Sequence, residues 1–157
     1  MSSLPRFVLA LSLCATGLGP MALATGYGLE AREQAMSKKQ ILVHVTHGPE
    51  HPTRAALAFL VAKTALDEGH GVSLFLAGDA VQLLRDPVLD NLAGLGTGKL
   101  RDLYDAIVAK GGRFYLSGMS SNARGVSEGD LKGKPAEFAQ PTVLLRLSLE
   151  HDRMFTY

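Results

Sequence analysis

From position 40 onward, short apolar runs alternate with longer amphipathic ones. Ile41-Leu42-Val43-His44-Val45-Thr46 is rich in β-branched residues and almost continuously apolar. That is the pattern of a strand buried on both faces of a parallel sheet. Gly48-Pro49-Glu50-His51-Pro52 breaks the run, and helical spacing takes over. Ala55, Ala56, Phe59, Leu60, Lys63 and Leu66 mark an amphipathic helix from about Thr53 to Glu68, ended by Gly69. Val72 to Leu76 is the second strand. Gly78-Asp79 closes it and opens a short helix to Leu84, and a turn or short helix follows from Pro87 to Leu95.

Thr97 is positioned to cap a helix running to about Lys110. Leu100, Leu103, Tyr104, Ile107 and Val108 form its buried face, and Gly111-Gly112 stop it. Arg113 to Leu116 is the third strand, left by a loop rich in glycine and serine from Ser117 to Gly125. Ala136-Glu137-Phe138 makes a very short fourth strand. Pro141 suits the first turn of a helix running to about His151, and Met154 to Tyr157 is a fifth strand. Strands alternating with helices imply an α/β fold, a three-layer sandwich around a five-stranded, mostly parallel sheet.

Residues 1–24 follow a different rule. They hold one charge, Arg6, then an apolar run from Phe7 to Leu13, softened by Gly17, Gly19 and Pro20 and closed by Ala22-Leu23-Ala24. This is the layout of a secretory signal peptide cut after Ala24. Residues 25–39 then form a linker, residues 40–157 the folded domain, and the mature protein is periplasmic or secreted, without stable membrane insertion. The alternative is translation from Met36, which makes the protein cytoplasmic. Either way the single cysteine, Cys14, is lost.

Composition narrows the partners. The chain of 157 residues carries 16 Lys and Arg against 15 Asp and Glu, with no Trp and 6% aromatics. A nucleic-acid binder needs a basic excess and often stacking rings, so that class is excluded. One cysteine rules out a thiolate zinc cage. His44 and His47 would face opposite ways along a strand, so no metal site is expected. His70 reads as a solvated turn residue, and His151 suits a helix C-terminus. No cofactor is expected: a P-loop and a Gly-x-Gly-x-x-Gly fingerprint are both missing, and Gly94-Leu95-Gly96-Thr97-Gly98-Lys99 has the wrong spacing for a phosphate cradle.

In open α/β sheets, ligands gather outside the carboxyl ends of the strands. Three segments fall there. Thr46 to Thr53, with His47, Gly48 and His51, precedes a helix N-terminus that suits an anion; Thr53 or Glu50 is the candidate cap. Asp79 follows the second strand, as a helix cap or a ligand contact. Ser117, Gly118, Met119, Ser120 and Arg124 follow the third, where small residues let main-chain N–H groups approach a ligand and Arg124 can pair with an anion or simply with a neighbouring acid. Ser117 with a nearby His and Asp would serve a hydrolase, but no Gly-x-Ser-x-Gly elbow is present.

The segments Gly71 to Val81, Gly112 to Val126 and Asp152 to Tyr157 resemble the DsrE/DsrF-like family. The resemblance spans about residues 40–157. It implies a small flavodoxin-like α/β sandwich that assembles as dimers, trimers or hexamers, in a family that includes sulfur-relay subunits. Those members carry persulfide on a cysteine just after the third strand. Here the matching position is Ser117, and Ser120, a second place where relatives often have cysteine, is serine too. A serine hydroxyl forms no persulfide, because sulfur exchange needs a thiolate. The expectation is therefore a non-catalytic homo-oligomer that binds a small anionic or sulfur-containing ligand, or a partner protein, near a subunit interface. The pocket would comprise His47, Gly48, His51, Asp79, Ser117, Gly118, Met119, Ser120 and Arg124. The alternatives are a cysteine-less structural subunit of a sulfur-relay hetero-oligomer, whose DsrE-like partner supplies the thiol, and, lower, a hydrolase or transferase using Ser117.

Overall fold

Alternation along each strand sorts the core into two layers. Ile41, Val43 and Val45 join Val72, Leu74, Leu76, Phe114 and Leu116 in one buried cluster. Leu42 and Phe75 belong to a second cluster on the opposite face. Burial on both faces explains why these strands read as near-continuous apolar runs.

The structure is a computed structural model and describes residues 37–157. The signal peptide, most of the linker, Cys14 and Met36 lie outside the described residues. The strands are β1 (Gln40–Val45), β2 (Gly71–Leu76), β3 (Ala93–Gly94), β4 (Gly98–Lys99), β5 (Arg113–Ser117), β6 (Ala136–Ala139) and β7 (Arg153–Thr156). The helices are α1 (Pro52–Asp67), α2 (Asp86–Asn91), α3 (Leu100–Ala109), α4 (Gly118–Ala123), α5 (Glu128–Leu131) and α6 (Pro141–Glu150), with a 3-10 helix over Gly78–Leu84. The main sheet runs β6-β5-β2-β1-β7, and β3 pairs only with β4. Each neighbouring pair in the main sheet is parallel, stricter than the mostly parallel sheet expected. The fold is α/β, with helices flanking the sheet.

On the first face, α1 contributes Ala55, Ala56, Ala58, Phe59, Ala62 and Ala65, and α3 contributes Leu100, Leu103, Tyr104 and Ile107. Alanines on the inner side of α1 let its backbone approach the sheet. Lys63, expected on that inner side, instead forms an ion pair with Asp67 at 2.6 Å. On the second face, Leu147 of α6 is buried, with Val143 and Leu144 packed against Leu42, Phe75 and Ala139. Leu145 and Leu149 of α6, and Met154 and Phe155 of edge strand β7, remain exposed. Among the described residues, no helix is long and apolar enough to cross a membrane.

Three local expectations change. Thr97 does not cap α3, which starts at Leu100 with Lys99 as its N-cap. Gly96 (φ +77°) and Gly98 (φ +84°) turn the chain into the small β3–β4 hairpin, consuming the residues that would have been the first turn. The loop expected after the third strand begins as helix α4, because the Ser117 hydroxyl accepts the Ser120 N–H at 3.4 Å as an N-cap. His70 is not solvated: its ring accepts the Lys39 main-chain N–H at 3.3 Å, and its side chain is 16% exposed.

Candidate functional site

The chain winds from β1 through β2 and β5 to β6, then returns to place β7 on the other side of β1. The strand order therefore reverses between β1 and β7, and the crevice outside their carboxyl ends is where the sheet leaves room for a ligand. A cleft of about 760 Å³ lies there, lined by Thr46, His47, His51, Pro52, Thr53, Arg54, Leu57, Thr156 and Tyr157.

A directed chain of hydrogen bonds sets the polar end of this cleft. A guanidinium can only donate, so Arg54 donates to Nε2 of His47 at 3.1 Å. The ring proton then lies on Nδ1, which donates to the Thr46 hydroxyl at 3.2 Å. That hydroxyl donates to the main-chain oxygen of Tyr157 at 2.8 Å. The ladder continues beside it, with the Thr46 N–H on the Tyr157 oxygen at 2.8 Å and the Tyr157 N–H on the His44 carbonyl at 3.0 Å. The His51 ring meets His47 edge-on, centroids 5.0 Å apart.

Helix α1 opens into this cleft uncapped. His51 is its N-cap residue and makes no side-chain capping bond, and the first turn holds no acid. Neither candidate cap serves: Glu50 accepts the Gly48 N–H at 2.8 Å, and the Thr53 hydroxyl accepts the Leu95 N–H at 3.0 Å. The first-turn N–H groups thus lack the oxygen that usually satisfies them. Arg54 adds positive charge where the helix dipole is already positive, an unfavourable placement for an isolated helix. No carboxylate among the described residues pairs with Arg54.

The other expected site residues form a separate, self-satisfied cluster. Arg124 donates to the Asp79 carboxylate at 2.7 Å and to the Ser120 carbonyl at 3.4 Å. Asp79 caps nothing, since Ala77 is the N-cap of the 3-10 helix. The Ser120 hydroxyl accepts the Gly78 N–H at 3.0 Å. Arg124 thus has the neighbouring acid that the sequence left open as its alternative to an anion. Gly118 starts α4, and Met119 beside it is 71% exposed. Among the described residues, no histidine or carboxylate hydrogen-bonds the Ser117 hydroxyl. Gly48 links the two regions: a Cβ there would overlap the Asp79 carbonyl.

Of the nine expected residues, His47 and His51 line the cleft, and Asp79, Ser120 and Arg124 bond one another elsewhere. Thr46 lay at the start of the first expected segment, whereas Arg54, Leu57 and Tyr157 were missed. Arg54 left a faint signal, a cation in the first turn behind Pro52, where an acid is favoured. Among the described residues, no group of three or more His, Cys, Asp or Glu is placed to hold a metal ion.

His44 lies on the second face of β1, with Nε2 buried and without a hydrogen-bond partner. Its ring meets Phe75 at 6.1 Å between centroids. Burial lowers its pKa below the ordinary imidazole value of 6.5. The unfolded chain then binds more protons between the folded pKa and about pH 6.5. Stability from this group is complete above that window and is lost as pH falls through it. A falling urea midpoint from pH 7.5 to 5.5, with a flatter profile in His44→Gln, is expected. Asp67, Asp86, Asp130 and Asp152 have depressed pKa values and act below the carboxylate range, outside this window.

The chain belongs to the DsrE/DsrF-like family, whose model matches residues 39–157. The crystal structure of the ychN protein from E. coli is similar with a TM-score of 0.59 at 17% identity, covering 76% of this chain and 99% of that one. A conserved protein of unknown function, BT1422 from Bacteroides thetaiotaomicron, gives a TM-score of 0.55 at 10% identity, covering 76% of this chain and 95% of that one. Both likenesses concern the fold. No curated protein matches the chain.

Proposed function

We propose that this DsrE-like protein is non-catalytic and binds a small anionic or sulfur-containing ligand in the β1–β7 cleft. The observation that carries the reading is Arg54, free of any carboxylate among the described residues, beside the uncapped start of α1 in a cleft at the switch point. An anion there would satisfy first-turn N–H groups, the helix dipole and the guanidinium together. Ser117 is occupied as a helix cap, which disfavours its use as a nucleophile. The cluster of Asp79, Ser120 and Arg124 then serves to hold the loops behind the cleft in place.

Isothermal titration with thiosulfate and with phosphate tests this. Binding is expected for at least one of them, and Arg54→Ala should weaken it tenfold or more, given about 1.5–3 kcal/mol for a hydrogen bond to a charged group. Equal binding by wild type and Arg54→Ala would move the site elsewhere.

The chain is also proposed to work as a periplasmic homo-oligomer. Exposed Leu145, Leu149, Met154 and Phe155 support assembly, and the signal-peptide pattern supports export. Native mass spectrometry of protein from fractionated cells reads both the subunit count and the N-terminus. A cytosolic species starting at Met36 and bound to a cysteine-bearing subunit would instead favour the relay-subunit alternative.

A further inference from the structure

We infer that the ligand of the β1–β7 cleft is an amphipathic organic anion, with a charged head at Arg54 and an apolar body lying between α1 and β7. This rests on the anion reading above and specifies it. A helix repeat of 3.6 residues puts Arg54, Leu57 and Val61 on one stripe of α1. Leu57 lines the cleft and is 38% exposed, a large apolar side chain left open beside the cation. Opposite it, Tyr157 packs on the α1 side of the sheet. The cleft is therefore polar where Thr46, His47 and Arg54 meet, and apolar at Pro52, Leu57 and Tyr157.

Its size agrees with this division. About 760 Å³ falls within the range of clefts that hold organic ligands. An inorganic oxyanion at Arg54 would leave Leu57 and Tyr157 facing water. An aliphatic carboxylate or sulfonate covers both ends with one molecule, the head on the guanidinium and the chain on the apolar wall.

The test is calorimetric titration of the full chain with n-alkanoates from acetate to octanoate, below their micelle concentrations, and with thiosulfate as a head-only probe. Affinity is expected to rise about two- to fourfold for each added methylene that becomes buried. Leu57→Ser should flatten that dependence, because a serine at this exposed position removes apolar wall and no charge. If thiosulfate binds through Arg54 but acetate and octanoate bind alike, the amphipathic inference fails and the anion site stands. If no probe binds, or if Arg54→Ala binds every probe as the wild type does, both fail. If Leu57→Ser lowers the sedimenting mass and chain length has no effect, a second copy covers the wall, and the inference fails on that ground.

Discussion

Phe114→Ala is expected to destabilise the fold by about 3–5 kcal/mol. Phe114 is the second residue of β5, 1% exposed. Its ring stacks between two elements that are far apart in sequence. The Phe59 ring of α1 lies 5.8 Å away, tilted by 35°, and the Tyr104 ring of α3 lies 5.2 Å away, tilted by 36°. Removing the ring deletes the contact that joins both helices to the sheet and leaves a cavity that neither rigid helix can fill by itself. Domains of this size have only about 5–15 kcal/mol of stability in total, so the variant should show a much lower urea midpoint. An unchanged slope would mean that the unfolded and folded surfaces are otherwise preserved. A loss below about 1 kcal/mol would mean that α1 and α3 close over the gap, and that this layer is less tightly packed than its geometry indicates.

Gly48→Ala is expected to be the most damaging single-methyl change near the cleft. The added Cβ would collide with the Asp79 main-chain carbonyl and come within 2.9 Å of the Glu50 carboxylate. The first obstacle is backbone, which cannot rotate aside as a side-chain tip can. The β1–α1 loop must move off the β2 loop, at about 1–3 kcal/mol for an overpacked site. Because His47 and the start of α1 ride on that loop, ligand affinity should fall together with the melting midpoint. Gly96→Ala supplies the contrast. It has nothing within 4 Å of an added Cβ, only a left-handed backbone at φ +77°, so it should cost stability without loss of thiosulfate affinity. A Gly48→Ala protein with wild-type midpoint and affinity would show that the two loops separate freely.

These two residues also show how far the sequence could be followed. Phe114 was legible as a strand residue, because a four-residue run between Gly112 and a serine-rich segment has few other uses. Its partners were legible as apolar faces of two helices. Gly48 was legible as a loop residue near a helix start and as a candidate pocket residue, but not as a point of contact between loops. Its close approach to Asp79 joins loops whose sequence separation no local pattern spans. The same limit governed the site. His47 and His51, read in the segment after the first strand, line the cleft, but Arg124 was read as open to an anion as well as to a neighbouring acid, and its Asp79 partner precedes it by 45 residues. Arg54 was passed over because, inside an amphipathic helix, a first-turn cation looks like ordinary solvated charge.

The sequence by itself determined the class of fold, the five strands of the main sheet with the principal helices between them, and the two-faced burial of the sheet. Those are consequences of periodicity and of turn residues, which act over a few positions. Only the tertiary structure decided where β7 pairs, and therefore where the sheet reverses and opens a cleft. The Thr46 hydroxyl and the Tyr157 oxygen meet across 111 residues, and strand order depends on the packing energy of the assembled layers. Local signals reported which side chains are apolar. The assembled sheet decided that Asp79 neutralises Arg124 and that Arg54 faces the cleft with its charge unmatched.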